Sequence, residues 1–414
     1  MSISDTFRLD RNFLKKLHER LIETNEDIFS FEKGSVVDSP TSIIPSIHDL
    51  EEIISVMFWA STQMEEGRLP IFRAMYAEPT GLATLGLDFD KPISWNTEEI
   101  RKLAPAVTPP DGRICVYPKV PGGKLYIQGM QTKESEKDPL GVLFEIIEPA
   151  RMIVQFPLRK KIAEIKGQEC GFIDEEWLEE GSKLIALDFI KEKKSKSSAS
   201  SYSFLYKTMT QEILTRIRLL RHGGSIIFVP DSSKLEGSLE SPIKYKCGKG
   251  FKAIERIAMS IRNSIDKSSG KNLVGIMRAE IKSLNKSYNK IRISDSARSV
   301  AYLTAVDGAT ILNNKFEVLS FGAKIKESHR PKVKEPHNET DNQKVKIILP
   351  HEGNKPNEKS LTDAFRGKRH LSAARFVINN PKSIAFVVSQ DGMITGLVME
   401  DKLLVAYKGL ELLL

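Results

Sequence analysis

One aspartate in the C-terminal half interrupts an otherwise apolar stretch. Asp307 stands between Tyr302-Leu-Thr-Ala-Val and Gly308-Ala309-Thr-Ile-Leu, and we predict one strand over 302–312. A buried carboxylate is costly unless it is paired or bound to a metal, and a glycine beside it lets a ligand or another backbone approach closely. The pattern therefore indicates a metal-binding or proton-accepting carboxylate. The alternative is an ordinary turn at the strand end, because Asp-Gly is a common turn pair.

A second group of residues has a chemistry suited to anions. The basic run Arg366-Gly367-Lys368-Arg369-His370 precedes a helix that we predict to begin near residues 371–372. A helix N-terminus offers free N–H groups and the positive end of a dipole, and the planar guanidinium of arginine suits phosphate. The run therefore favours a phosphate site. A solvated basic loop is the alternative, since such loops are common.

The elements around these two groups predict an α/β domain over 205–414. A helix over 205–222 leads into the apolar run Gly223-Gly-Ser-Ile-Ile-Phe-Val-Pro230, which is typical of a buried strand. Two amphipathic helices, with apolar stripes from Ile254 to Ile265 and from Met277 to Ile291, form a helical insert at about 250–300. These helices and strands predict a C-terminal mixed β-sheet flanked by helices.

The rest of this domain contains turn and strand signals. Residues at about 326–360 are polar and proline-rich, which predicts a flexible loop apart from a possible short strand at 345–349. A strand over 384–389 is followed by an Asp391-Gly392 pair that predicts a hairpin turn, with further strands around Ile394 and Leu404.

The N-terminal part predicts a separate α+β domain over 1–195. Apolar residues at helical spacing predict helices over 13–22 and 50–66. The turn residues Pro121-Gly-Gly between two apolar runs predict a hairpin, and 141–157 predict two more strands. The lysine- and serine-rich segment 191–201 predicts a linker. We find no catalytic set in this domain.

The order of the motifs resembles a known family. Asp307-Gly308-Ala309, then Gly367-Lys368-Arg369-His370, then a helix and a strand ending in Val387-Val388-Ser389, are similar to the diadenylate cyclase domain of the DNA-integrity scanning type. The run 366–377 and the segment 389–392 resemble most the subgroup whose N-terminal sensor domain is called DACNV. The resemblance covers roughly 205–414, interrupted by the insert and the loop.

This resemblance implies a metal-dependent nucleotidyltransferase that condenses two ATP into cyclic di-AMP. It implies that Asp307 binds Mg²⁺ or Mn²⁺ and promotes attack by the ribose 3′-hydroxyl. It also implies that Arg369 and His370 contact phosphates and that Ser389 lies near them, with Gly308, Ala309, Gly367 and Lys368 completing the nucleotide site. Because one domain that holds one ATP cannot make both linkages, a face-to-face homodimer is expected. By the same analogy the domain over 1–195 senses a ligand of unknown identity.

Three positions depart from the family pattern. Leu371 replaces a second arginine, Lys368 replaces a threonine, and Gln390 replaces the first member of an acidic pair that Asp391 completes. A nucleotide or second-messenger sensor with weak or no activity, using the same pocket, is therefore the alternative function.

The net charge of +8 is concentrated in one segment. Residues 244–298 contain fourteen Lys or Arg and four Asp or Glu, a local charge of +10. Such a segment attracts a polyanion, and nucleic acid is a possible but lower-ranked partner. A solvated lysine-rich helix face is the alternative.

Length and composition limit the class of protein and the number of domains. A chain of 414 residues, with 40% hydrophobic and 28% charged residues, is typical of a soluble globular protein of two or three domains. No apolar run reaches the ~18–20 residues of a membrane span, and the N-terminus lacks a signal-peptide core, so we expect a cytoplasmic protein without membrane contact. The three dispersed cysteines argue against a structural zinc site.

Overall fold

The chain forms two compact units, Met1–Ile173 and Asp174–Leu414. The second unit thus begins upstream of the segment predicted as a linker. Three predicted segments lie wholly or partly outside the described residues. They are the predicted linker up to residue 198, most of the helical insert with its basic charge, and the first part of the predicted loop. The computed structural model describes residues 9–32, 44–64, 71–77, 87–107, 113–117, 123–131, 141–156, 160–188, 199–230, 239–240, 243–244, 287–314, 316–325, 343–353 and 355–414.

The first unit combines helices with an eight-stranded sheet in the described part of the chain. The strand order is β2-β4-β3-β1-β5-β6-β7-β8, and only the β1–β3 pair is parallel among the described pairs. The elements are α1 (Arg11–Glu32), α2 (Ile47–Thr62), β1 (Arg73–Ala77), β2 (Leu87–Ser94), α3 (Thr97–Leu103), a 3₁₀ turn (Ala104–Val107), β3 (Arg113–Tyr117), β4 (Tyr126–Gln131), β5 (Gly141–Glu148), β6 (Arg151–Phe156), β7 (Lys160–Lys166) and β8 (Glu169–Phe172).

The core of the first unit follows from the apolar spacing of its sequence. Leu14, Leu17 and Leu21 recur at helical spacing along α1 and are fully buried against the sheet, together with residues of α2. Ser46 caps the start of α2 by accepting a hydrogen bond from the backbone N–H of Asp49. The predicted helices, the β3–β4 hairpin and the strand pair β5–β6 are confirmed.

The second unit is built around a mixed sheet, as predicted. Its strand order is β10-β13-β12-β9-β16-β17-β18-β14-β15, with β11 also paired to β13. The elements are α4 (Glu175–Ile185), α5 (Ala199–Leu219), β9 (Gly224–Val229), β10 (Leu239–Glu240), β11 (Ile243–Lys244), α6 (Ser287–Leu303), β12 (Ala309–Asn313), β13 (Val318–Ile325), β14 (Lys344–Ile348), β15 (Asn357–Ser360), α7 (Leu361–Ala364), α8 (Lys368–Asn379), β16 (Ile384–Val388), β17 (Ile394–Glu400), β18 (Leu403–Lys408) and a 3₁₀ turn (Leu410–Leu413).

Strand β9 lies inside this sheet, between β12 and β16. Every residue from Gly224 to Val229 is buried, which explains the uninterrupted apolar run in the sequence. Helix α8 packs over this part of the sheet through side chains that include Ala373, Phe376 and Val377. Helix α5 contacts β16, and α6 contacts β13. Helices therefore flank a mixed sheet in this unit.

Three local predictions are wrong. The stretch 302–312 is not one strand: α6 continues to Leu303, a turn follows, and β12 begins only at Ala309. The predicted flexible loop contains the paired strands β14, which matches the short strand considered there, and β15. Helix α8 begins at Lys368 rather than near residue 371, because Gly367 is its N-cap.

None of the helices that the structure describes combines the length and the apolar composition that a membrane-spanning segment needs.

Candidate functional site

One edge of the second unit's sheet brings together three chain segments. β9 runs parallel to β12, with Ser225 opposite Ala309, and antiparallel to β16, with Gly224 opposite Val388. The start of β9, the start of β12 and the end of β16 therefore lie side by side. Since neighbouring strands are about 4.8 Å apart, the segments that enter β12 and leave β16 are separated by roughly 10 Å. We call this edge, with the N-terminus of α8, the candidate site.

Asp307 lies in the turn that leads into β12, and its side chain is exposed. It is therefore not the buried carboxylate within a strand that the sequence predicts, and the turn considered as the alternative describes its backbone. Gly308 has φ +118°, and a Cβ there would lie 2.5 Å from the carbonyl carbon of Gly322 on β13. The glycine is required by this close approach of two backbones. Ala309, the third residue of the motif, is buried in the core below the edge.

Lys368, Arg369 and His370 of the basic run form the first turn of α8 instead of preceding the helix. Gly367 occupies the N-cap and provides no side-chain capping group. The first N–H groups of an α-helix have no partner within the helix. Lys368 and Arg369 are exposed in this turn, so their charges add to the positive end of the helix dipole. This arrangement attracts anions.

Arg369 connects α8 to the start of β9. Its Nη1 donates a hydrogen bond of 3.0 Å to the carbonyl oxygen of His222. Gly223 has φ +68°, and a Cβ there would lie 2.8 Å from Arg369 Nη1 and 2.8 Å from the carbonyl oxygen of Val388. A side chain at Gly223 would therefore displace the guanidinium. Ala309 of β12 pairs with Ser225 of β9, and Asp307 lies just before Ala309 in the chain. Asp307 and Arg369 therefore both lie near the start of β9.

His370 is half-buried and stacks on Phe365, with ring centroids 5.6 Å apart and an interplanar angle of 14°. Burial holds the pKa of the His370 imidazole below its usual value. The positive charge of Lys408 acts in the same direction, whereas the carboxylate of Asp391 opposes the shift. The imidazole is therefore neutral near pH 7, in a fixed orientation beside the first turn of α8.

Ser389 belongs to the tight turn between β16 and β17. Its hydroxyl donates a hydrogen bond to the carboxylate of Asp391, and the carbonyl oxygen of Met393 lies 3.1 Å from the same hydroxyl. Gly392 has φ +86°, as the predicted Asp-Gly hairpin turn requires, and a Cβ there would lie 3.0 Å from Nε of Arg218. The side chain of Ser389 thus holds the turn in shape, and its backbone forms part of the edge.

The acidic residues of the site determine what metal it can hold. In the described ranges, no group of three or more His, Cys, Asp and Glu side chains is placed to bind a metal ion. The exposed carboxylate of Asp307 makes no ion pair with a residue that the structure describes. A single carboxylate fits Mg²⁺ or Mn²⁺ when the phosphates of a nucleotide supply the other ligands, as is usual for Mg²⁺. The residues therefore fit a metal shared with the phosphates of a ligand rather than one held by the described protein groups alone.

The first unit lies in the N-terminal part of the chain, where the sequence shows no catalytic set. Helix α2, strands β1 to β4 and α3 all lie within it. A family model described as a probable sensor domain, DACNV, matches residues 39–132. The match covers the hairpin β3–β4 and indicates a sensing role for this part of the chain. No curated protein matches the chain at a significant level.

Some residues of the candidate site escape sequence reasoning. His222 contributes only its carbonyl oxygen, and a backbone acceptor leaves no signal in side-chain type. Phe365 lies only one segment before His370, but its stacking on the imidazole follows from the turn between α7 and α8. Lys408 comes from β18 and reaches the Phe365 ring only in the folded sheet. The Gly223-Gly224 pair before a buried strand is a signal that could have found the contact with Arg369, since paired glycines often mark a close approach.

Proposed function

We propose that the second unit is a nucleotidyltransferase domain that condenses two ATP into cyclic di-AMP or a closely related cyclic dinucleotide. The sensing role of the first unit then regulates this reaction. The proposal unites the motif resemblance with the position of the candidate site. It does not require any residue of the first unit in the chemistry.

One observation carries the proposal. Arg369, at the N-terminus of α8, is tied to the carbonyl oxygen of His222 at the start of β9, beside the segment that presents Asp307. A carboxylate and a guanidinium sixty-two residues apart in sequence therefore lie at the same sheet edge. A triphosphate with a bound divalent cation needs a partner of each charge.

The reaction needs few protein groups. In each half, the 3′-hydroxyl oxygen of one ATP forms a bond to the α-phosphorus of the other. The bond from that phosphorus to the bridging oxygen breaks, pyrophosphate leaves, and the hydroxyl proton passes to a base or to water. Catalysis of this kind depends on in-line positioning and on charge stabilisation. Arg369 and Lys368, with the N–H groups that follow Gly367, supply positive charge for the phosphates.

Asp307 would hold the Mg²⁺ or Mn²⁺ together with the phosphates. When bound, such an ion neutralises phosphate charge and favours ionisation of the attacking hydroxyl. His370, neutral near pH 7 and fixed by Phe365, can donate a hydrogen bond to a phosphate oxygen from one ring nitrogen. Arg369 keeps most of its N–H donors available after the single bond to His222.

Two copies of the unit are required because the product contains two linkages. Each copy would present one ATP, and the two sites would face each other during the reaction. The partner proposed here is a second copy of the same chain, as a stable or a transient dimer.

A second function, nucleotide binding without turnover, is favoured by specific residues. Leu371 packs partly against the core in place of a cation, and Gln390 cannot provide a carboxylate. The hydroxyl of Ser389 is held within its own turn. A receptor for ATP or for a second messenger would use the same edge and would not need these groups.

Chromatography of the products tests the two functions against each other. The full chain is incubated with ATP and Mn²⁺, and separately with Mg²⁺. A cyclic dinucleotide together with pyrophosphate is the expected result, and Asp307→Asn should remove both. The exposed Asp401, in the turn between β17 and β18, offers a matched control as Asp401→Asn. ATP binding without any cyclic product for each metal would favour the receptor.

A further inference from the structure

Lys408 lies at the same sheet edge as the candidate site, four strands away from Asp307. Val388 pairs with Ile394 across β16 and β17, and Thr395 pairs with Lys408 across β17 and β18. Lys408, the last residue of β18, therefore lies at the same sheet edge as the start of β12. Sequence patterns give Lys408 no role, because it is a single lysine at the end of an apolar strand.

The backbone at Lys408 is held firmly. Its carbonyl oxygen accepts a hydrogen bond of 3.2 Å from Nε1 of the buried Trp177. The next residue, Gly409, has φ +82°, and a Cβ there would lie 3.0 Å from the ring of Pro350. These two contacts fix the end of β18, so the backbone from which the Lys408 side chain extends has a fixed position.

The side chain of Lys408 is half-buried and reaches the aromatic pair of the site. Its Nζ lies 5.8 Å from the centre of the Phe365 ring, on which the His370 imidazole stacks. Lys408 has no carboxylate as an ion-pair partner within the described part of the chain. Lys359 on β15 is a further cation close enough to act on it.

Positive charges predominate among the described groups around Lys408 and His370. Burial lowers the pKa of Lys408, and the positive charge of Lys359 lowers it further. Lys408 in turn disfavours the charged form of His370, and among the described residues the carboxylate of Asp391 opposes this effect. Cations that disfavour one another in a half-buried setting are stabilised when an anion binds between them.

We propose that the ammonium of Lys408 binds the phosphate chain of the nucleotide beside His370. This inference rests on the proposed nucleotide site and identifies a further residue of it. Lys408 supplies the cation that Leu371, packed against the core, does not supply after His370. The ligand class that fits is a polyphosphate, because Arg369, Lys368 and Lys408 together need more than one negative charge.

Binding measurements test this role without depending on turnover. The probe is an ATP analogue with a methylene group in place of the α–β bridging oxygen, titrated into the full chain by calorimetry with Mg²⁺. Adenosine and inorganic tripolyphosphate are titrated in parallel. The variant is Lys408→Met, and the matched control is Lys382→Met, which lies in the exposed turn before β16 at the opposite edge.

Lys408→Met should weaken binding of the analogue and of tripolyphosphate by about tenfold or more, as for the loss of one charged hydrogen bond. Adenosine binding should not change, and Lys382→Met should behave like the wild type. Equal weakening of all three probes, or no weakening of the phosphate-bearing probes, would overturn the inference. A wild type that binds the analogue but forms no cyclic product would refute the proposed reaction and leave the role of Lys408 to be decided by these ratios.

Discussion

Arg369 donates a hydrogen bond from Nη1 to the carbonyl oxygen of His222 over 3.0 Å, and so joins the first turn of α8 to the start of β9. The two residues are 147 positions apart in the chain. This bond fixes the direction of the guanidinium at the sheet edge where the turn with Asp307 leads into β12. The bond holds Arg369 beside the start of β9, the strand that pairs with β12 next to Asp307.

Arg369→Lys should weaken binding of the non-cleavable ATP analogue by about tenfold, because an ammonium cannot contact His222 and a phosphate with the same planar group. Calorimetry with the full chain measures the effect. Arg366→Lys, at an exposed position just before α8, is the control and should bind as the wild type does. Unchanged affinity in Arg369→Lys would mean that the guanidinium does not contact the nucleotide.

Gly223→Ala should lower the free energy of unfolding by about 1–3 kcal/mol, since φ +68° is unfavourable for alanine and the new Cβ would lie 2.8 Å from two neighbours. Gly353→Ala is the control: it has φ +79° but no atom within 4 Å of the new Cβ, so only the backbone cost of about 1 kcal/mol applies. Chemical denaturation compares the two. An equal loss for both would contradict the close approach of Arg369 and of the Val388 carbonyl oxygen to Gly223.

Gly308→Ala should cost more than Gly223→Ala, about 3 kcal/mol, because the new Cβ would lie 2.5 Å from backbone atoms of Gly322, which cannot rotate away as a side chain can. The same denaturation experiment measures it. A loss no larger than that of Gly353→Ala would contradict the close packing of β12 against β13 at this point.

His370 should make the second unit less stable in acid. Its pKa is held below the ordinary value of 6.5, so just below pH 6.5 the unfolded chain binds more protons than the folded chain. Well above pH 6.5, His370 adds no pH dependence to the free energy of unfolding. As the pH drops below 6.5, the free energy of unfolding falls. Denaturation at several pH values between about 7.5 and 5.5 should show a smaller loss for His370→Gln than for the wild type. His48→Gln, at an exposed position of the first unit, should keep the full loss; a wild-type loss in His370→Gln would contradict the shift.

The parts of the fold that depend on local pattern could be predicted from the sequence. The apolar run of β9, the stripe of α1 and the Asp391-Gly392 turn each contain their own signal. The region before Asp307 was ambiguous, because a short apolar run fits a strand or a buried helix segment. Ala297, Val300, Ala301 and Thr304 are buried at helical spacing, and this period identifies α6.

Other features depend on contacts between distant segments and leave no local signal. β15, Asn357–Ser360, is polar and exposed, and it is a strand because β14 offers it an edge. Asp307 and Arg369 stand out in the sequence as candidate residues, but their position at one sheet edge follows from the order β12-β9-β16. The cap at Gly367 shifted the helix start by several residues, which moved Arg369 and His370 into the helix.

We expect Asp307 and Arg369 to act on one triphosphate, Asp307 through a metal ion and Arg369 directly. The affinity of the ATP analogue, measured with and without Mn²⁺ for wild type, Asp307→Asn, Arg369→Gln and the double variant, tests it most directly. Asp307→Asn should remove the gain in affinity that Mn²⁺ provides and leave metal-free binding unchanged, whereas Arg369→Gln should weaken binding in both conditions. An Asp307→Asn variant that keeps the full Mn²⁺-dependent gain would contradict it.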